Sequence, residues 1–324
     1  MSKSIFRIAA ISLCALGVSI SAAKAADFPG DRPITLVVPF SAGGPTDKVA
    51  RELALAMGKQ LKGQVIVDNS PGAGGTIAAK RVINSKNDGY TLLIHHIGMS
   101  TAPALYKNLG FDPMNDYEYV GQVADVPMIL VGNKDLPPKN YQELLPYMKA
   151  NVSKIAYANA GVGSASHLCG LLFMSRIQLD LTTVPYKGTA PAFQDLIGGQ
   201  IDGFIDPILG SLQYHKSGLL RVIAVTSAKR APNLPDVPTV GETIPGYEFY
   251  SWYGLWAPKG TPADVQARIV EEVRRLAAAD EIKASWAGNG AEFPNLTPQQ
   301  FGAFVSSEVK RWAAVVKASG AKLD

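Results

Sequence analysis

Residues 37–51 read Val-Val-Pro-Phe-Ser-Ala-Gly-Gly-Pro-Thr-Asp-Lys-Val-Ala-Arg. A β-branched apolar run, Ile34 to Val38, stops at Pro39 and passes through Ser41-Ala42-Gly43-Gly44 into a segment whose Val49, Leu53 and Met57 recur every four residues. That spacing predicts a strand, a glycine turn and a helix. Gly43 and Gly44 let the backbone turn without a Cβ penalty, and Pro45 suits the first helical position, where its missing N–H would have had no partner. The free N–H groups and positive dipole end of such a helix start favour an anion. No Gly-Lys-Ser/Thr follows to hold a nucleotide, so a carboxylate is the expected guest.

The same order recurs outward. Val65 to Val67 reads as a strand, Asp68 to Thr76 as a glycine-rich turn and Ile77 to Ile83 as a helix, while Tyr90 to His95 forms a third strand leading into His96-Ile97-Gly98-Met99-Ser100. Strand-helix alternation predicts an α/β chain with parallel sheets, whose ligands sit beyond the carboxyl ends of the strands. Tyr119 to Val131 reads as two extended runs broken by Asp125 and Pro127, a crossing into a second lobe. There Tyr141 to Ala150 is helical, Ile155 to Ala158 is a strand, and Asn159-Ala160-Gly161-Val162-Gly163-Ser164-Ala165-Ser166-His167 opens another helix. Thr182 to Val184, Ile201 to Ile205 (ending at Asp206-Pro207) and Leu220 to Thr226 are further strands, with a helix around Pro191 to Leu196. Tyr247 to Ala257 looks like the return crossing, and helices over Pro262 to Asp280 and Thr297 to Ser319 complete the first lobe. The expected division is 26–124 with 252–324 as one lobe and 125–251 as the other, the two crossings forming a hinge over a cleft.

Lys3 and Arg7 precede an apolar stretch from Ile8 to Ile20, and Ala23-Lys24-Ala25 fits a small-x-small cleavage rule, so residues 1–25 are expected to be an export signal cut near Ala25. Cys14 follows Leu13 rather than a small residue, which argues against lipid attachment. Loss of Lys3, Arg7 and Lys24 from the 31 basic residues leaves a mature chain close to neutral against 27 acidic ones. With no basic cluster interleaved with aromatics, nucleic acid is not an expected partner. Cys169 becomes the only cysteine, so a packed core rather than a disulfide must hold the fold.

Asp47 in the first helical turn is a dipole partner before it is a ligand contact, whereas Thr46 is placed to touch an anion. Ser164 and His167 stand three apart on one helix face, but no Gly-x-Ser-x-Gly elbow surrounds Ser164 and no acid is evident to orient the ring. Gly161-x-Gly163-x-x-Ser166, with Asp180 further on, echoes a dinucleotide fingerprint but lacks its third glycine. His95 and His96 are expected on opposite sides of a strand, unable to share a metal. Asp206 either accepts a ligand ammonium or hydroxyl or simply forms an Asp-Pro turn. Trp252 and Trp256 are expected to pack near the crossing. Two anion-ready helix starts in separate lobes can converge on one guest. At roughly 1.5 to 3 kcal/mol per charge-assisted hydrogen bond, three or four could outweigh the ~8 kcal/mol of micromolar binding without any side-chain cation. No metal and no cofactor is expected.

Taken together, the motifs Val38-Pro39-Phe40-Ser41-Ala42-Gly43-Gly44-Pro45-Thr46-Asp47, Asn69-Ser70-Pro71-Gly72-Ala73-Gly74-Gly75, Asp88-Gly89-Tyr90-Thr91-Leu92-Leu93, Gly161 to Leu168, Val184-Pro185-Tyr186-Lys187-Gly188, Leu234 to Thr239 and Gly260-Thr261-Pro262 resemble the Bug-type solute-binding proteins of tripartite tricarboxylate transporters. The resemblance implies a two-lobed periplasmic-binding-protein fold, type II-like, and a non-catalytic receptor for a small organic carboxylate: a di- or tricarboxylate, an aromatic acid or an acidic amino acid. It also implies delivery to membrane permease subunits; a monomer is expected. Carried over by position, Ser41, Ala42, Gly43, Thr46, Gly163 and Ser164 contact the carboxylate and Phe40 covers the ligand, with Gly44, Asp47, Asn159, Gly161, His167 and Asp206 in support. His95, His96, Met99 and Asp206 are the expected choices for the ligand's far end. Asp68-Asn69-Ser70 departs from the family's usual Asn-Arg pair, and Ser85-Lys86-Asn87 stands before Asp88 where a proline is common. The alternatives are an exported hydrolase using Ser164 and His167, or a ligand-sensing protein with the same lobes.

Overall fold

The computed structural model describes residues 28–319, so the expected signal segment and its cleavage point lie outside the described residues. Strand β1 (Ile34–Val38) runs parallel between β2 (Val65–Asn69) and β3 (Thr91–His96). A strand covered on both faces needs apolar residues on both, which is why four of the five residues from Ile34 to Val38 are aliphatic and buried, Thr35 alone being partly exposed. On one face Leu36 and Val38 share a core with Val49, Leu53 and Met57 of α1 (Pro45–Leu61). On the other, Val37 packs with Ala78, Ala79 and Val82 of α2 (Thr76–Ile83).

After α3 (Gly98–Leu105) comes β4 (Tyr117–Asn133), one continuous strand of 17 residues where two broken runs were expected. Tyr117 to Pro127 pair antiparallel with β9 (Tyr250–Pro258), and from Met128 onward the partners are β7 (Gly203–Pro207) and β8 (Leu220–Val225). Pro127 falls on the last pair with β9, where the ladder changes partners, so its missing N–H interrupts neither half. Bulges between Tyr119 and Gly121, between Gln122 and Ala124, and between Leu130 and Val131 absorb the bend.

The second half is built from α4 (Tyr141–Ala150), β5 (Ala156–Asn159), α5 (Ala165–Ile177), β6 (Thr182–Pro185), α6 (Thr189–Ile197) and α7 (Ile208–Lys216) around β7 and β8. Strand β5 runs parallel to β6 and β7. Sheet order is β2-β1-β3-β9-β4-β7-β5-β6 with β8 on β4. The parallel order therefore holds at the two outer ends, and the crossing strands join them antiparallel. Helices α8 (Ala263–Ala278), α9 (Asp280–Ala287) and α10 (Pro298–Ser319) close the chain.

Trp252 and Trp256 share one face of β9 and pack with Phe301 of α10. The indole N–H groups of Trp252 and Trp312 donate to the buried Glu308 carboxylate at 3.1 and 2.9 Å. Three helices, α3, α7 and α9, had no sequence signal. Gly98 and Pro103 in α3 and Gly210 in α7 lower local helix propensity, and buried Met99, Leu105, Ile208 and Leu212 supply tertiary packing instead.

Candidate functional site

Gly44 is the N-cap of α1 in extended conformation, and Gly43 before it takes φ +83°. The Asp47 carboxylate reaches back to accept the Gly43 N–H at 2.9 Å, while Arg51 donates to it twice, at 2.8 and 2.9 Å, and Asn69 once, at 3.0 Å. Asn69 also donates to the Phe40 carbonyl at 2.9 Å, tying the loop to the end of β2. Burial alone would raise the Asp47 carboxyl; the hydrogen bonds from Arg51, Gly43 and Asn69 outweigh it and hold the group below its ordinary value. Asp47 thus braces the loop, as expected of a carboxylate in the first helical turn.

The second loop repeats the device. Ser164 is the N-cap of α5, its hydroxyl accepting the His167 N–H at 3.2 Å, and His167 Nδ1 accepts the Gly163 N–H at 3.2 Å. In both loops the third residue of the helix holds the N–H that precedes the cap, a variant of the capping box. Burial pushes His167 down to about 4, so at neutral pH its ring is uncharged and can accept. Asn159 Oδ1 takes the Gly161 N–H at 2.9 Å, and Ser166 Oγ takes that of Ala160 at 2.8 Å. With the N–H groups of Gly43, Gly161 and Gly163 occupied within the loops, those left without an intrahelical partner on the cavity lining include Gly44, Thr46, Ala165 and Ser166. The Ser164 hydroxyl serves as a cap and pairs with Ser166 Oγ at 2.9 Å, which removes the geometric basis for a Ser-His nucleophile.

Between the loops lies a cavity lined by Phe40, Gly44, Pro45 and Thr46 from the first and by Ala160, Ser164, Ala165 and Ser166 from the second. His96, Thr189, Asp206, Pro207 and Tyr253 complete the wall. Four helices, α1, α5, α6 and α7, begin on this lining. Each contributes roughly half a positive charge, and no lysine or arginine is among the lining residues. The cavity therefore offers an anion helix-start dipoles and hydroxyl groups rather than a side-chain cation.

The two halves meet over the cavity. Ser41 Oγ donates to the Lys187 carbonyl at 2.9 Å, and a Cβ on Gly74 would come within 2.4 Å of the Val162 carbonyl oxygen. Ser41 is spent on this bridge, and Ala42 and Gly43 are exposed on the outer side of the loop. Of the expected site residues, Phe40, Gly44, Thr46, Ser164 and Asp206 line the cavity. Asn159, Gly161, Gly163, Asp47 and His167 shape the loops behind it.

His95 and His96 do not point apart. They are the last two residues of β3, where the alternation of the strand ends, and their rings lie 5.0 Å apart at 87°. His96 stacks on Phe40 at 4.8 Å and faces the cavity, while His95 Nδ1 accepts the His96 N–H at 2.8 Å behind it. Burial pushes His95 to about 4 and, with the neighbouring His95, carries His96 well below its ordinary value. Met99 packs in the apolar core rather than on the cleft. Asp180 lies beyond the far end of α5, so the fingerprint starting at Gly161 has no ribose acid beside it. Thr189, Ser166 and Tyr253 were missed. Thr189 immediately follows the Pro185-Tyr186-Lys187-Gly188 motif, which was the available signal; Tyr253 had none.

Asp206 is buried, with Oδ1 accepting from Thr189 Oγ1 at 2.8 Å and Oδ2 from Ser211 Oγ. Burial pushes its carboxyl up to about 7, against the lowering effect of the two hydroxyls. Burial likewise raises the free thiol of Cys169 to about 12, leaving it a packing group.

Fold and site together define a two-lobed solute-binding protein. The tripartite tricarboxylate transporter family receptor model matches residues 49–321, and the chain belongs to that family. Among solved structures, the periplasmic binding protein BugD is 44% identical, with a TM-score of 0.86 over 90% of this chain and 98% of that one. Rpa4515 of R. palustris with adipate is 35% identical, with a TM-score of 0.87 over 91% and 99%. MatC (Rpa3494) from Rhodopseudomonas palustris with bound malate is 36% identical, with a TM-score of 0.82 over 88% and 99%. The chain is a Bug-type solute-binding receptor, not an enzyme.

Proposed function

We propose that the protein captures a small organic carboxylate in the periplasm and delivers it to the membrane permease of a tripartite tricarboxylate-type transporter, after loss of residues 1–25. Its lobes are 26–124 with 252–324, and 125–251, and it works as a monomer. The observation that carries the reading is the convergence of four helix starts on a cavity without a side-chain cation. The lining mixes apolar Phe40, Pro45 and Pro207 with hydroxyls of Thr46, Ser164, Ser166 and Thr189, which suits the di- and tricarboxylates, aromatic acids and acidic amino acids of the resemblance. The adipate and malate in two related structures support the same class.

Thermal-shift and calorimetric screening of these acids tests it. A bound acid at a hundred times its Kd adds about 2.7 kcal/mol to stability and is recovered unchanged. Turnover of the acid, or no stabilisation by any of them, rejects the reading. Ser164→Ala removes the α5 cap and a hydroxyl from the cavity wall. It is expected to lower stability by about 1 kcal/mol and affinity by about tenfold, one hydrogen bond's worth, as read by calorimetry.

A further inference from the structure

The four helix starts suit one carboxylate, yet the part of the wall where α6 and α7 begin contains Asp206, itself a carboxylate in a cavity otherwise suited to anions. Each of its oxygens receives one hydroxyl donor, from Thr189 of α6 and Ser211 of α7. An ionised carboxylate has about four acceptor sites, so roughly half its capacity is unmet by those two donors. The titratable groups facing it from other elements are Tyr157 of β5, Tyr253 of β9 and His96 of β3 across the cavity. None is a cation, since burial keeps His96 neutral. Tyr253 is itself buried on the lining, its hydroxyl beside Thr46 and Ser251 without a hydrogen bond of ordinary geometry.

We propose that Asp206 makes this wall selective for acids that carry a hydrogen-bond donor, an ammonium or hydroxyl group, beside the bound carboxylate, over acids that lack one. The inference rests on the carboxylate-receptor reading above. A donor on the ligand supplies the partner that Asp206 lacks. A plain methylene at the same point displaces water from a buried carboxylate and returns nothing, the arrangement by which a site built for a polar group rejects the analogue without it. A second ligand carboxylate brought against Asp206 is repelled in a medium of low dielectric. The preferred ligands are therefore amino acids and hydroxy acids, with any further carboxylate directed away from Asp206.

The experiment is calorimetry on the mature protein with series matched in chain length: succinate, L-malate and L-aspartate; glutarate, L-2-hydroxyglutarate and L-glutamate; adipate and L-2-aminoadipate. At pH 8 the amino or hydroxy acid of a series is expected to bind at least about tenfold tighter than its unsubstituted member, a difference of about 1.4 kcal/mol. Asp206→Asn, which keeps the shape and both hydroxyl neighbours, is expected to bring the members of a series within about threefold, mainly by weakening the amino acid. Lowering the pH of the wild type from 8 to 6 protonates the carboxyl that burial holds near 7 and moves the ratio in the same direction.

Equal affinities within every series that binds the wild type overturn the inference, whether or not the variant folds, and leave the receptor reading standing. So does an unchanged ratio in a variant whose melting curve shows it folded. Failure of every acid to bind the wild type rejects the receptor reading itself, and this inference with it.

Discussion

Gly210→Ala is expected to leave both lobes folded and ligand affinity reduced by tenfold to more than a hundredfold. Gly210 lies within α7, where alanine is the better helix former by about 1 kcal/mol. Its α carbon faces Pro45 across the cleft, however, and a Cβ there would stand 2.7 Å from the Pro45 Cγ and 2.9 Å from its Cα and N. Carbon atoms in good contact are roughly 3.5 to 4.0 Å apart, and Pro45 is fixed at the start of α1 with no flexible end to swing aside. The extra methyl therefore burdens the shut form with an overpacking penalty of about 1 to 3 kcal/mol while the open form gains helix stability. Calorimetry gives the loss of affinity, and the radius of gyration with and without ligand shows whether the molecule still contracts. Undiminished affinity would mean that the bound form does not bring α1 and α7 together as seen here.

Asp206→Asn is expected to raise the thermal midpoint at pH 8 by an amount of order 8–16 °C, with the gap shrinking as pH falls. The folded-state carboxyl is lifted to about 7 by burial, from an ordinary 3.8. Between those values the folded chain holds a proton that the unfolded chain has released, so stability falls as pH rises through the window and levels off above 7. At about 1.36 kcal/mol per unit the full penalty above pH 7 approaches 4 kcal/mol, of which each kcal/mol moves the midpoint of a domain this size by roughly 2 to 4 °C. Below about pH 4 both forms are protonated and the penalty is absent. Matching midpoints for variant and wild type at pH 8 would show that Asp206 is not a buried charge there. A group that weakens the fold where it lines a cleft is the kind of local conflict expected of a functional position.

The first strand, turn and helix were legible because each signal is local: a β-branched run, two glycines, a proline and an apolar residue at every fourth position. The second helix start was legible for the same reason. The direction of side chains was not. Asp47 and His167 stand four residues after Gly43 and Gly163, a matched spacing that was visible, but that each turns back to accept the N–H of its own loop was not. His95 and His96 close β3, and their rings come within 5.0 Å of each other at 87°, a local arrangement at the strand's end that strict alternation does not foresee. Helices α3 and α7 form against their own propensities through packing with distant elements. Tyr253 and Thr189 reach the cavity from segments more than 150 and 90 residues beyond His96, and only the pairing of β9 with β3 and β4 brings the first of them there.

A grip made of main-chain amides has a further consequence for the lineage. Ordinary substitutions exchange side chains and leave peptide groups in place, so drift at His96, Thr189 or Tyr253 can redirect the receptor to a new nutrient without forfeiting its capacity to seize an acid.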